Sequence, residues 1–278
     1  MERLWVGFMP IILVAVVLPA MAGSPLIGVE EDTGDFYAIS TADASIQFIG
    51  HSGVVGLGAL EYNPHDGRLY GFTTGVTPEE PELYRFDIPM TLDAVTPHSI
   101  GRLGLPVFEG GLAFASDGTA YAMNGGVLLP ILLRVNLSSG EATPVGEISP
   151  RRDIAGLGWR SDGVMIGLDS TENDLLAIDP TKATVSIINP NLPIIGGVGG
   201  MALLGGSGYF VTGGPEADIP GSNELYSFDA FTGEHVLIGS FEDVIVGSGF
   251  SGLSVVPEPA TLTLLALAGV ALLHRKGR

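Results

Sequence analysis

The feature that most constrains this chain is a short pattern that recurs along most of its length. In residues 111–148, Leu112 and Phe114 alternate with small residues, and Asp117-Gly118 makes a turn. Tyr121 and Met123 continue the alternation, Leu133, Val135 and Leu137 alternate with Arg134 and Asn136, and Ser138-Ser139-Gly140 turns the chain again. Period two between turn residues is the mark of strands with one face on a core, so this stretch reads as four short β-strands in succession. Related glycines at Gly58, Gly111, Gly156, Gly200 and Gly252 are spaced 53, 45, 44 and 52 residues apart, the size of a four-stranded unit.

A second column supports that register. Tyr37 and Ile39, Tyr84 and Phe86, Leu133 and Val135, Leu176 and Ile178, and Tyr226 and Phe228 are the alternating pairs of each third strand. The residue after each pair is Ser40, Asp87, Asn136, Asp179 or Asp229. These side chains hydrogen-bond their own backbone and start tight turns, so the three aspartates read as turn residues and not as a catalytic set. Residues 26–50 align with the chain from Met165 onward, so the domain opens on the second strand of a unit. Residues 252–256 look like a first strand that nothing follows. The expectation is an all-β β-propeller of five four-stranded blades, with the first and last strands sharing one blade; a six-bladed ring is the alternative. The repeats resemble propeller proteins in general, without the Gly-His and Trp-Asp marks of WD40 blades.

Gly and Pro together make 60 of 278 residues, a share that suggests low complexity until the alternation between them is seen. The formal net charge is −19. Residues 23–256 keep 8 of the 12 basic and 29 of the 31 acidic residues, which repels nucleic acid and anionic lipid. There is no cysteine, so disulfides and thiolate metal sites are excluded.

The ends read as address labels. Arg3, an uncharged apolar run from Leu4 to Leu18 and Ala20-Met21-Ala22 form a signal peptide over residues 1–22, cleaved after Ala22 by signal peptidase. At the other end, residues 257–278 hold Pro257-Glu258-Pro259, an apolar run that opens at Ala260 and closes at Leu273, and the basic cluster Arg275, Lys276 and Arg278. The run is short for a permanent span and the basic end would stay cytoplasmic, so it would anchor the chain transiently in the inner membrane. This tail resembles the PEP-CTERM sorting signal of Gram-negative bacteria that make exopolysaccharide. The resemblance implies recognition by an exosortase and a final address in the cell envelope or outside the cell, with extracellular polysaccharide or an envelope protein as partner. It implies no activity.

Motifs for chemistry are weak. The glycine-rich residues 196–208 lack the Gly-Lys-Ser/Thr ending of a phosphate loop, and no G-x-S-x-G elbow occurs. The histidines are isolated in sequence, and none pairs at zinc-ligand spacing. The loops between second and third strands are acidic in four blades: Glu30, Glu31, Asp32 and Asp35; Glu79, Glu80 and Glu82; Asp169, Glu172 and Asp174; Glu216 and Asp218. Within EEDTGD, where Gly34 permits a tight loop, Glu30, Glu31, Asp32 and Asp35 are candidate ligands for Ca²⁺, which accepts irregular oxygen sets. The first strands are almost bare of acids apart from Glu61, with Glu109 and Asp153 near their entrances. The sequence therefore favours a non-catalytic binding or structural component; the alternative is a propeller enzyme, a metal-dependent lactonase or a glycosidase.

Overall fold

The computed structural model describes residues 26–88, 95–125, 129–213, 223–241 and 249–256. The proposed signal peptide, the sorting tail, Glu216 and Asp218 lie outside them. The chain runs through β1 (Leu26–Glu30), β2 (Asp35–Ile39), β3 (Ile46–His51), β4 (Leu57–Asn63), β5 (Arg68–Thr73), β6 (Glu82–Asp87) and β7 (Thr96–Arg102). It continues through β8 (Leu112–Phe114), β9 (Ala120–Asn124), β10 (Ile131–Val135), β11 (Ala142–Glu147), β12 (Ile154–Trp159), β13 (Met165–Asp169), β14 (Asp174–Asp179) and β15 (Thr184–Asn189). The last elements are β16 (Val198–Leu204), β17 (Ser207–Thr212), β18 (Glu224–Asp229), β19 (His235–Ser240) and β20 (Phe250–Val255). They form five four-stranded antiparallel sheets, and the first of these has the order β20-β1-β2-β3. The chain is a five-bladed β-propeller whose last strand completes its first blade.

The core is divided into five wedges, one between each pair of neighbouring blades. Ile27, Val29 and Phe36 of the first blade meet Leu57, Leu60 and Phe86 of the second. Across the closure, Leu26 and Ile39 meet Leu225 and Val211 of the fifth blade beside Phe250 and Leu253. The second strands β1, β9 and β13 are therefore buried along their whole length, as befits sheets packed on two sides, while the outermost strands β15 and β19 are largely exposed.

Turns obey the side chains that start them. The amides of Ala42, Ser138, Thr181 and Phe231 donate to Ser40 Oγ, Asn136 Oδ1, Asp179 Oδ1 and Asp229 Oδ1. Asp87 differs: its Oδ2 takes His98 Nε2 at 2.7 Å, and the turn that follows lies outside the described residues.

The sequence register needs one correction. The inner strands carry a β-bulge just before the glycine column, at Leu57/Ala59, Ile154/Gly156 and Val198/Gly200, and Ser251 is the extra residue in β20. In the second blade the bulge absorbs Gly58, so Ala59 stands in the column with Gly111, Gly156, Gly200 and Gly252. The column is glycine because the neighbouring inner strand passes there: a Cβ on Gly200 would lie 2.7 Å from the Leu253 nitrogen, and one on Gly252 2.9 Å from the Leu60 nitrogen. A second bulge marks every outermost strand, at Ile49, Ile100, Val145, Ile188 and Ile238.

Candidate functional site

Close approach of the inner strands nearly closes the central channel. The cavity there measures about 10 Å³ and is walled by Gly111, Gly156, Gly200, Gly252, Leu60 and Leu112 among others, room for about one water and for no substrate. A site on the ring's axis must therefore sit at one of its two ends. At one end the inner strands begin, and the loops between second and third strands also open there; here it is termed the mouth. At the other end β20 finishes and β1 starts, with Leu26 paired to Val255.

Counted back three residues from the packed column Leu60, Leu112, Leu157, Met201 and Leu253, four blades place the buried Leu57, Ile154 and Phe250 and the half-buried Val198. The third blade places Glu109 instead. Loss of hydration beside the mouth raises the pKa of Glu109, and the charges of Asp153 and Glu31 raise it further. Asp153 enters from the start of β12, and its Oδ1 lies 3.3 Å from the place of a Cβ on Gly125, which pairs with Glu109 across an isolated bridge. Glu31 enters from the first blade; burial raises its pKa, and Thr74 Oγ1 partly offsets this by donating to its Oε1 at 3.3 Å. Glu109 of the third blade thus feels the charges of Asp153 from the fourth blade and Glu31 from the first.

Charges within the EEDTGD loop act on one another too, Asp35 and Asp32 on Glu30 and Asp32 on Glu31, but hydrogen bonding divides three of the four candidate ligands. Gly34 does make the tight turn, with φ of 68° and its amide donating to the Glu30 carbonyl at 2.9 Å. The carboxylates then go separate ways. Glu30, only 4% exposed, accepts from Thr33 Oγ1 at 3.0 Å, and burial raises its pKa ahead of the opposing Thr33 bond and the repulsion of Asp35 and Asp32. Asp35 holds His51 Nδ1 at 2.8 Å, and Glu31 turns to Thr74 and the mouth. Among the described residues no three Asp, Glu or His side chains are placed to hold a metal ion.

The acids of the other loops also serve local structure. Asp169 is fully buried, its Oδ1 accepting from the amides of Thr171 and Glu172, while Arg152 reaches Asp169 at 3.6 Å and Asp174 at 3.7 Å. Burial still lifts the Asp169 pKa above its usual value. Glu80 Oε2 accepts from the amides of Val76 and Thr77, and Glu82 from Tyr84 and Ser99 hydroxyls. Around the mouth acids stand exposed apolar residues on connectors and loops: Val55, Val76, Phe108, Leu129 and Ile195. Sequence reasoning had placed Glu109 and Asp153 near inner-strand entrances; it missed that Glu31 joins them and that an apolar rim surrounds them.

Glu61, the one acid inside a first strand, does not line the central channel. Its Oε2 is buried without a hydrogen-bond partner, and burial alone drives its pKa well above the usual carboxylate value. Among the described residues no helix is long and apolar enough to cross a membrane.

No protein-family model matches the sequence, and no curated protein matches it. Solved structures do resemble it. A structural-genomics protein of unknown function from Bacteroides thetaiotaomicron is 16% identical with a TM-score of 0.54, over 78% of this chain and 56% of that one. A chain from the nidogen/laminin complex is 10% identical with a TM-score of 0.53, over 84% of this chain and 98% of that one. This chain thus spans just over half the length of the Bacteroides protein. At such identities the likeness is one of fold, and what it shows is a β-propeller.

Proposed function

We propose that the chain is an exported, non-catalytic propeller that binds a component of the bacterial cell envelope or exopolysaccharide matrix through its mouth. The closed, glycine-walled channel carries this reading. Among the described residues the channel leaves about 10 Å³, too little to hold a substrate inside the ring. The exposed apolar residues at the mouth, Val55, Val76, Phe108, Leu129 and Ile195, are instead of the kind that marks a binding face. Export rests on the sequence ends. Both chain ends depart from the face opposite the mouth, since β1 starts and β20 finishes there. A membrane tether at residues 260–273 would hold the mouth outward.

The enzyme reading retains one observation in its favour, the grouping of Glu31, Glu109 and Asp153. A glycosidase needs two carboxylates on either side of a held sugar ring, so the two readings part in one experiment. The chain is incubated with exopolysaccharide from its host, and both sedimentation with the polymer and release of reducing sugar are followed. Binding that is lost in a Glu31→Gln, Glu109→Gln, Asp153→Asn variant, with no sugar released, is the expected result. Released sugar that the same variant abolishes would establish the enzyme, and absence of binding by the unaltered chain to polymer and to envelope fractions alike would refute the proposal.

A further inference from the structure

One cross-strand row recurs in every blade, from the second strand through the residue inside the third-strand pair to the outermost strand. It reads Tyr70, Arg85, His98 in the second blade, Tyr121, Arg134, Thr143 in the third and Tyr209, Ser227, Val236 in the fifth. The first and fourth blades hold Ile27, Ala38, Gln47 and Ile166, Ala177, Ser186 there, without a ring. Residues paired in this way stand side by side on one face of a sheet. Wherever the second strand supplies a tyrosine, the third supplies an arginine, except in the fifth blade.

The two arginines show what the position does. In the third blade the Arg134 guanidinium stands 5.8 Å from the centre of the Tyr121 ring, a cation over an aromatic face. In the second, Arg85 Nε lies 3.8 Å from Oδ1 of Asp87, the carboxylate two residues on. Tyr121 and Tyr70 are only 6% and 4% exposed. The fifth blade has both partners of such a guanidinium, the half-buried Tyr209 and Asp229, without the guanidinium itself. Ser227 is too short to fill the place, and the surface opens there into a groove of about 820 Å³ whose walls include Tyr209, Ser227, Asp229, Glu234 and Val236. Oδ1 of Asp229 accepts the amides of Phe231 and Thr232, which leaves its second oxygen to a ligand.

We propose that this groove takes an arginine side chain of a partner protein, its guanidinium on the Tyr209 ring and bonded to Asp229 and Glu234. The exposed Val236 covers the methylene stem of that side chain. Charge selects a cation, since a chain of net charge −19 with two carboxylates in the groove repels an anionic ligand. Planarity selects arginine over lysine, because a guanidinium stacks on a ring and bridges carboxylates at once. A bare metal ion does not fit: among the described residues no three Asp, Glu or His side chains are placed to hold one. Arg160 of the fourth blade, whose charge reaches Asp229, is already engaged, since its Nε and one terminal nitrogen donate to Asp162 at 2.8 Å while its guanidinium lies 4.3 Å from the Phe231 ring. The groove lies where β17 begins and β18 ends, away from the mouth, so the inference does not rest on what the mouth binds.

The repeat itself supplies the decisive variant, Ser227→Arg, which restores the side chain that the second and third blades carry. The probe is a five-residue peptide with blocked ends and one central arginine between alanines, titrated into the full chain at physiological ionic strength. Saturable binding is expected, with Ser227→Arg abolishing it while melting no lower than the unaltered chain. Tyr209→Leu should weaken binding about fivefold or more. Thr143→Arg, which adds the same charge beside the filled position of the third blade, should leave the affinity unchanged. A peptide with citrulline in place of arginine, uncharged but of the same shape, should not bind. Absence of binding by the unaltered chain, undiminished binding to Ser227→Arg, an equal loss in Thr143→Arg, or equal affinity for the citrulline peptide would each overturn the inference.

Discussion

Leu26 and Val255, 229 positions apart in the chain, face each other as paired residues of one sheet. Around them Ser254 Oγ accepts the Tyr62 amide at 2.8 Å, and Ser251 Oγ donates to the carbonyl of Leu57. The last strand therefore closes the first blade and also ties it to the second.

That closure predicts where the ring is weakest to truncation. Leu253 is 1% exposed and packs across the junction of the first and fifth blades. Leu253→Ala should cost about 2 to 5 kcal/mol. For a domain of this size that is a fall of roughly 5 to 15 °C in melting temperature. Ending the chain at Ser248 should leave β1 as an open edge and promote aggregation. A truncated chain that melts like the full one would contradict the shared blade.

The glycine column predicts a contrast within one position of the repeat. Gly200 has φ of 145° and abuts the backbone of β20, whereas Ala59 holds the same place in the second blade with its Cβ accommodated. Gly200→Ala should therefore destabilise by about 1 to 3 kcal/mol. Ala59→Gly should cost on the order of 1 kcal/mol, mainly through the unfolded chain. Chemical denaturation of both variants compares them, and equal effects would contradict the bulged register.

Much of this was legible in the residues. The third-strand pairs such as Tyr226 and Phe228, the turn-starting Asn136 and Asp179, and the shared blade all follow from local period and turn chemistry, which sequence records directly. The bulge that swaps Gly58 for Ala59 is not recorded in that way, because a two-against-one pairing keeps the alternation and moves only its phase. The Ile-Gly or Val-Gly pairs that mark outer-strand bulges, Ile49-Gly50, Ile100-Gly101, Val145-Gly146 and Ile238-Gly239, were present as a repeat and could have been found. The mouth could not: Glu31, Glu109 and Asp153 belong to three blades, and the charges of the first and last reach Glu109 only through the fold.

Buried acids set an unusual pH response. The Glu61 pKa is raised well above its ordinary value by burial, so the unfolded chain gives up that proton first as pH rises. The stability this group contributes is then complete below the unfolded value and is lost progressively above it, up to the raised folded value. Glu30, Glu31, Glu109 and Asp169 are raised too and act in the same sense. Stability should fall as pH rises above the ordinary carboxylate range, with Glu61 alone supplying a slope of up to about 1.4 kcal/mol per pH unit while it stays protonated only in the fold. Glu61→Gln should flatten that part of the curve and leave the chain relatively more stable at its alkaline end. Asp179, held down to about 2 by the Thr181 hydroxyl and amide, works in the opposite direction and only in acid, where its bonds are lost. Denaturation midpoints across this range, for both chains, check the sign; a slope unchanged by Glu61→Gln would refute the assignment.

The Arg152 bridge gives a further test. It faces the fully buried Asp169 and the nearly buried Asp174, so Arg152→Ala would leave two carboxylates without their cation. A loss on the order of 3 kcal/mol is expected at neutral pH. Adding Asp169→Asn should restore part of it. Single losses that simply add in the double variant would show that the three groups do not act together.

Export of this propeller and trimming of its two ends can be measured together. Intact-mass measurement of the protein recovered from the medium and outer envelope of its host is the direct test. The expected species begins near Gly23 and lacks Arg275, Lys276 and Arg278, and replacing Pro257-Glu258-Pro259 by alanines should confine the chain to the inner membrane. Recovery outside the cell of a chain that still carries the basic tail would contradict sorting through that tail, and recovery of the uncleaved chain from the cytoplasm alone would contradict export itself.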